Sequence, residues 1–178
     1  MAATKRERLK AEGLWDYALK VLSRRAHSSS ELRYKLLRRA ESPAFVQITM
    51  DKLREYGLAD DAKFSEAFAQ SRLQNQGFGR QRVLRDLRSK RVPVEIAKSA
   101  VEKTFGGVAE AELIQQFLER KYRGKDLKTF LKIEKNFAGA YRRLRLAGFT
   151  SAASISILKR YAAGPSDWDM PVEEDDQL

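Results

Sequence analysis

Apolar residues recur at three- and four-residue spacing along most of the chain, and two-residue alternation is nearly absent. Three- and four-residue spacing places apolar side chains on one face of a helix, whereas alternation favours strands. Glycine occurs only 10 times and proline 4 times, so few residues interrupt the helical pattern. The pattern predicts an all-α fold.

The first third of the chain predicts three helices. Residues 14–26 form one amphipathic stripe, and Ser28 with Glu31 has the spacing of a capping box that begins a second helix. Ser42–Pro43 favours the start of a third helix, which ends near Gly57, because proline at the first helical position loses no hydrogen bond. The residues expected to face inward are Leu14, Trp15, Ala18, Leu19, Leu22, Leu32, Leu36, Leu37, Val46, Ile48, Met50 and Leu53.

The same order of elements begins again after Leu58. Asp60 can cap a helix that ends before the glycine break at 77–79, a short basic helix spans 80–91, and Pro93 opens the next helix. Self-similarity of this kind is typical of tandem helical units. The best internal match, at a shift of 48 residues, aligns Val46, Ile48 and Leu53 with Val94, Ile96 and Val101.

Residues 108–162 predict a third unit, in which Thr150 can cap the last helix and the first connection, near 124–134, is less regular. Small three-helix units bury their apolar faces poorly alone, so stacking predicts an elongated, curved, right-handed array. The predicted divisions are a basic N-terminal extension (1–13), three three-helix repeats (14–58, 59–107 and 108–163) and an acidic tail, expected to be disordered (164–178).

Charge sharpens this picture, since the 178 residues carry a net charge of +11. All 35 Lys and Arg precede Gly164, and 18 acidic residues lie in the same part of the chain, so residues 1–163 carry a net charge of +17. The tail holds the other six acidic residues. A basic body of this kind favours a polyanionic partner. The tail could fold back as an internal competitor for the basic face, in which case its deletion should tighten polyanion binding.

Absences exclude several classes of chemistry. Without cysteine the chain has no disulfide, no thiol nucleophile and no cysteine-ligated zinc site. The N-terminus lacks the apolar core of a signal peptide, and no stretch has the length of a membrane span. We therefore expect a cytoplasmic protein without cofactor, metal or membrane association, and we expect it to be a monomer.

Candidate catalytic residues are few. His27 is the only histidine, and its neighbours Ser28 and Glu31 are better explained as a helix cap than as partners in a triad. Asp60 and Asp61 stand where a helix dipole favours negative charge, and the glycine break lacks the Lys-Ser/Thr of a P-loop. The sequence predicts a protein that is not an enzyme.

Basic residues recur on or beside the second helix of each predicted unit. The helix at 80–91 places Val83, Leu84 and Leu87 on one inward face. It turns Arg82, Arg85 and Arg88 toward solvent. A single basic run is usually a solvated face, but recurrence favours binding to phosphate or carboxylate groups, which the arginine fork fits. The candidate partner-binding residues are Arg24, Arg25, Arg38, Arg39, Arg72, Arg82, Arg85, Arg88, Lys90, Arg91, Arg142 and Arg143.

Two segments resemble a known family. The run Gly57-Leu-Ala-Asp-Asp-Ala-Lys-Phe-Ser65, followed by Arg72, Gly77-Phe-Gly79, Arg82 and Leu87–Lys90, resembles the central repeat of RecX regulatory proteins. Residues 18–32, with Arg24-Arg25, Ser28 and Glu31-Leu32, resemble the opening repeat of the same family.

The resemblance implies three tandem three-helix repeats and a protein that is not an enzyme. It also implies binding to the RecA recombinase and to its filament on single-stranded DNA, which restrains strand exchange and modulates recombinational repair. The chain departs from the family pattern in two places. It has Lys90-Arg91 where the central repeat commonly has a Lys-Gly turn, and it carries the acidic tail.

Two alternatives stay open. A +17 helical body is sufficient for sequence-independent binding of single- or double-stranded DNA without RecA. A hydrolase that works from His27 would lose all activity in His27→Ala. Retention by bare RecA without DNA separates the RecA hypothesis from direct nucleic-acid binding.

Overall fold

A computed structural model describes residues 8–162, and within that range the chain is helical. The predicted acidic tail lies outside the described residues, as does the first half of the N-terminal extension. An isolated backbone bridge joins Leu9 to Ala40. The helices are α1 (Ala11–Leu22), α2 (Ser29–Leu37), α3 (Pro43–Glu55), α4 (Asp61–Ser71), a π-helical turn (Arg72–Gln76), α5 (Arg80–Ser89), α6 (Val94–Phe105), α7 (Glu110–Lys121), α8 (Leu127–Leu131), α9 (Glu134–Ala147) and α10 (Ser151–Ala162).

The described chain forms two compact units. Unit 1 holds residues 8–68 and 86–100, and unit 2 holds residues 69–85 and 101–162. The all-α class predicted from the apolar spacing is confirmed, whereas the three repeat ranges and the shape of the array stay predictions.

In unit 1, α1, α2 and α3 pack around one apolar core. The predicted capping box is confirmed, since Ser28 Oγ accepts from the Glu31 amide at 3.1 Å and the Glu31 carboxylate accepts from the Ser28 amide at 3.4 Å. Ser42 caps α3, which begins at Pro43 as predicted. The buried core residues are Leu14, Ala18, Leu32, Leu36, Ala40, Val46, Met50, Leu53 and Ala59.

The prediction of an inward position is wrong for three residues, since Leu19, Leu37 and Ile48 are 37%, 38% and 55% exposed. Leu19 and Leu37 lie at the margin of their stripes, because short helices in a small unit bury a narrower face than the apolar spacing suggests. Ile48 lies about 160° around α3 from the buried Val46 and Met50, on the opposite face.

The internal match at 48 residues is also wrong as a structural correspondence. It pairs buried Val46 with Val94, which is 43% exposed. A shift of 51 residues instead pairs buried positions with buried positions. It aligns Val46, Thr49 and Met50 with Ala97, Ala100 and Val101.

In unit 2, α10 packs against α7, α8 and α9. The connection near 124–134 contains α8, which Asp126 caps by accepting from the amides of Lys128 and Thr129. The predicted third repeat therefore holds four helices rather than three. Thr150 caps α10 as predicted, since its hydroxyl accepts from the Ala153 amide at 3.4 Å.

Candidate functional site

A cavity of about 680 Å³ lies in unit 1 beside α1, the turn that follows it, and α2. Five of its lining residues are cationic, and none is acidic. It brings together Arg24, Arg25 and Arg39, three of the predicted partner-binding residues. We term it the cationic pocket, and its lining residues are Tyr17, Lys20, Val21, Arg24, Arg25, His27, Lys35 and Arg39.

Helical spacing builds this pocket. Tyr17, Lys20 and Val21 lie on one face of α1, and Arg24 continues that face beyond the end of the helix. Lys35 lies in the last turn of α2, and Arg39 follows four residues later. Lys20 and Lys35 were not among the predicted site residues, although their three- and four-residue spacing from the arginines was a signal that could have found them.

Two nitrogens at the pocket are buried without a hydrogen-bond partner, His27 Nδ1 and Arg39 Nε. The His27 side chain is only 3% exposed, and its nearest acid, Glu31 Oε2, lies 3.6 Å from Nδ1, which is longer than a hydrogen bond. The Arg39 guanidinium lies 5.4 Å from the centre of the Tyr17 ring.

The pKa of His27 is lowered from its ordinary value. Burial is the main cause, and the positive charges of Arg25 and Lys35 add to it, while Glu31 opposes them. Neutral imidazole is therefore favoured near pH 7, so the pocket gains no sixth charge from His27.

Lys90 belongs to a network that holds the start of α2. Its carbonyl accepts from Ser28 Oγ at 2.6 Å, and its ammonium lies 3.2 Å from Glu31 Oε1. Burial alone would raise the pKa of Glu31, but the hydrogen bond and charge of Lys90 outweigh it and lower that pKa. Lys90 thus has a clear structural role, and its predicted contact with a partner stays a prediction.

Arg91 adopts a left-handed backbone with φ of 57°. Its carbonyl accepts from Ser30 Oγ at 3.1 Å, and its guanidinium lies 5.7 Å from the centre of the Tyr34 ring. Glycine adopts this conformation without steric cost. Arg91 therefore has the backbone conformation expected of the glycine in the Lys-Gly turn that the resemblance implies at this position.

In unit 2, the start of α5 meets the end of α9, and we term this contact the α5–α9 junction. The Gly79 amide donates to the Ala147 carbonyl at 2.8 Å, and the Gln81 amide donates to the Gly148 carbonyl at 3.2 Å. A Cβ on Gly79 would overlap the Gly148 carbonyl, and a Cβ on Gly148 would overlap the Arg82 backbone. The second glycine of the Gly-Phe-Gly run is thus explained by close backbone approach.

Arg82 and Arg85 use their guanidinium groups at this junction. Both donate to the Leu146 carbonyl, Arg82 at 3.1 Å and Arg85 at 3.4 Å. Cations are favoured near a helix C-terminus, where carbonyl groups lack intrahelical partners. These side chains are therefore not simply a solvated face, and their predicted contact with a partner stays a prediction.

The other predicted residues are distributed over both units. Arg38, Arg88 and Arg142 are exposed. Arg143 donates to the Tyr122 hydroxyl at 2.7 Å, and Arg72 donates to Gln76 Oε1 at 2.9 Å.

The paired carboxylates at the start of α4 act as caps. Asp60 accepts from the Ala62 and Lys63 amides, and the hydrogen bond from Lys63 is the main reason that its pKa is lowered. Asp61 accepts from the Ser29 amide at 2.7 Å. Between residues 8 and 162, no group of three or more His, Asp and Glu is placed to hold a metal ion. In that same range no helix has the length and apolar character needed to cross a membrane.

Two sequence models of the RecX family match the chain. The model described as "RecX, first three-helix domain" matches residues 15–53, and "RecX, second three-helix domain" matches residues 60–101. The matched ranges include the capping box and the Gly-Phe-Gly run, which carry part of the resemblance noted above, whereas residues 57–59 lie between the two ranges.

Curated relatives carry the same name. The chain is 36% identical over 92 residues to "Regulatory protein RecX" of Halorhodospira halophila, which covers 52% of this chain and 56% of the relative. It is 28% identical over 151 residues to the protein of that name from Mycobacterium sp. strain JLS, covering 83% and 81% of the two chains. The chain therefore spans little more than half the length of the first relative and most of the second.

Solved structures share the fold. A structure described as "Crystal structure of regulatory protein RecX" has a TM-score of 0.63 at 20% identity, covering 83% of this chain and 70% of its own. RecX from Lactobacillus salivarius has a TM-score of 0.63 at 15% identity, covering 85% and 96%. The two matched domain models and the curated relatives show that the chain belongs to the RecX family of regulatory proteins.

Proposed function

We propose that the chain regulates the RecA recombinase: it binds RecA and the RecA filament on single-stranded DNA and thereby restrains strand exchange. The cationic pocket is the observation that carries this proposal, because it gathers arginines from separate parts of the sequence into one concave surface. RecX family membership supplies the kind of partner, and the positive charge supplies the sign of its surface.

Arginine is suited to both components of such a filament. Its planar fork forms paired hydrogen bonds with the carboxylates of a protein and with the phosphates of DNA. Clustered cations also raise the local potential, which speeds association with an acidic surface. A filament repeats the same surface many times, so that weak contacts made by each unit of this chain would sum to a useful affinity.

The structure suggests which residues test this proposal with the least damage to the fold. Arg24, Arg88 and Arg142 are predicted contacts with exposed side chains. Arg82 and Arg85 are less suitable, because their reversal would also remove hydrogen bonds at the α5–α9 junction.

The test is a triple reversal, Arg24→Glu, Arg88→Glu and Arg142→Glu, measured as inhibition of RecA-driven strand exchange. We expect the concentration for half inhibition to rise about tenfold or more, equivalent to about 1.4 kcal/mol of lost affinity. The control carries the same charge change at exposed residues outside the predicted set, Arg33→Glu, Lys98→Glu and Lys132→Glu. Equal inhibition by both folded variants would overturn the residue assignment.

The competing function is sequence-independent nucleic-acid binding without RecA. The net charge of +17 before Gly164 favours it. Immobilised RecA in the absence of DNA separates the two, since only the regulatory function predicts retention of the chain on bare RecA. Steeply salt-dependent binding to DNA with no effect on RecA would instead support the competitor.

A further inference from the structure

The cationic pocket has a composition that the RecA hypothesis does not require. Five cations line a cavity of about 680 Å³, and no acidic residue is among the lining residues. This volume is within the range of cavities that hold small ligands, about 300–1,000 Å³. Cations concentrated in a concave site focus the positive potential and concentrate small anions.

Two buried nitrogens lie on residues that line this cavity. Buried polar atoms in folded proteins nearly always have a hydrogen-bond partner, and each exception calls for an explanation. Here His27 Nδ1 and Arg39 Nε are both buried without one, and both residues line the same cavity. Neither nitrogen is accessible to solvent, and Glu31 lies 3.6 Å from His27 Nδ1. The exposed cations Lys20, Arg24 and Arg25 are therefore the groups that an anion in the cavity would contact.

We propose that the cationic pocket is a binding site for a phosphate group. A carboxylate has two oxygens and one charge, which a single arginine fork satisfies. Phosphate offers more oxygens and up to two negative charges, which matches several cations that converge on one cavity. The inference goes beyond regulation of RecA, because it requires no protein partner.

His27 gives this proposal a specific signature. In the free protein, burial and the charges of Arg25 and Lys35 lower the pKa of His27 against the opposing charge of Glu31. A phosphate in the pocket places negative charge near the ring, which favours the imidazolium and raises that pKa. Because His27 is the only histidine, its ring-proton NMR signals report on the pocket without ambiguity.

The experiment follows these signals in the full chain from pH 5 to pH 8.5, with and without inorganic pyrophosphate at constant ionic strength. We expect saturable binding and an upward shift of the His27 pKa. The variant Lys20→Gln, Arg24→Gln should weaken pyrophosphate binding about tenfold, because both positions line the pocket and both side chains are exposed. Arg33→Gln, an exposed cation outside the pocket, should leave binding unchanged.

Further arms identify the source of the phosphate. A response to pyrophosphate and to a nucleoside triphosphate supports a free phosphate compound, whereas a response to a single-stranded oligonucleotide alone supports a backbone phosphate. An equal response to sulfate, or an equal response by the pocket variant, would show general ionic screening and overturn the proposal. None of these measurements includes RecA, so failure of the regulatory function would not affect their outcome.

Discussion

Arginines in unit 1 and unit 2 use their guanidinium groups in different ways. At the α5–α9 junction, Arg82 and Arg85 donate to the Leu146 carbonyl at the end of α9. At the cationic pocket, Arg39 has a buried Nε without a partner, and Arg24 is exposed beside other cations. The first group stabilises a helix end, whereas the second concentrates positive charge in a cavity.

The difference shows that similar basic runs can have different functions. Arg82 and Arg85 lie on a strongly amphipathic helix and would be assigned to a binding face from the sequence alone. Their contacts depend on a carbonyl that lies about 60 residues further along the chain. The role of a basic cluster thus depends on whether the fold places hydrogen-bond acceptors, such as the Leu146 carbonyl, next to its side chains.

The largest expected effect is at the glycine that permits the α5–α9 junction. Gly148→Ala should lower the free energy of unfolding by about 3 kcal/mol, because Gly148 has φ of 92° and a Cβ there would overlap the Arg82 backbone. Urea denaturation measures this loss. Gly139→Ala on α9 is the control, since its Cβ would meet open space and alanine favours a helix by about 1 kcal/mol over glycine. Equal stability of the two variants would contradict the close approach.

A smaller loss is expected beside the cationic pocket, at the capping box next to His27. Ser28→Ala should lower the free energy of unfolding by about 2 kcal/mol, because it removes the cap of α2 and the hydrogen bond to the Lys90 carbonyl. Ser42→Ala removes the cap hydrogen bond from the Ala44 amide, which is 3.3 Å long, and should cost about 1 kcal/mol or less. Thermal unfolding of both variants checks the order, and a greater loss in Ser42→Ala would refute it.

Neutralising two cations in each region tests whether the arginines of the α5–α9 junction stabilise the fold more than the cations of the pocket do. Arg82→Gln with Arg85→Gln should cost about 1 kcal/mol of stability, because cations are lost from a helix C-terminus. Lys20→Gln with Arg24→Gln should change stability by about 0.5 kcal/mol or less, since relief of repulsion offsets lost contacts. Chemical denaturation at low salt measures both pairs. The distinction between the regions fails if the pocket pair is the more destabilising.

The smallest effect concerns pH. The pKa of His27 is lower in the folded chain than its ordinary value of 6.5, so below that pH the unfolded chain takes up a proton that the folded chain resists. Stability should therefore fall as the pH drops from 7.5 to 5.5. The pKa of Glu31 is lowered from 4.5, so the stability that its carboxylate contributes is lost only under more acidic conditions. In His27→Gln the melting temperature should vary less over this window, and an unchanged slope would exclude His27 as its cause.

Local features of the fold were predictable from the sequence. The caps at Ser28, Ser42 and Thr150 depend on residues a few positions apart, which fixes them without knowledge of the tertiary structure. The exposure of Ile48 was predictable too, because its two-residue spacing from Val46 and Met50 places it about 160° around the helix. The exposure of Leu19 was not, because apolar spacing does not show how much of a face a neighbouring helix covers.

The site was predictable only in part. Arg24, Arg25 and Arg39 were identified from the basic runs, but their convergence with Lys20 and Lys35 depends on how α1 and α2 pack. The structural use of Lys90 and Arg82 was not accessible, because their partners are distant in sequence. A hydrogen bond between residues so far apart in the chain leaves no recognisable pattern in the sequence around either residue.

The left-handed backbone at Arg91 has a consequence for how substitutions at this position would be judged. A side chain at φ of 57° costs the folded state about 1–2 kcal/mol relative to glycine, and glycine recovers this amount less the entropy that it adds to the unfolded chain. Arg91→Gly would thus remove a cation from Tyr34 while leaving the chain equally or more resistant to heat. A screen for thermal stability alone would accept this substitution, and only an assay of binding could reveal what the arginine contributes.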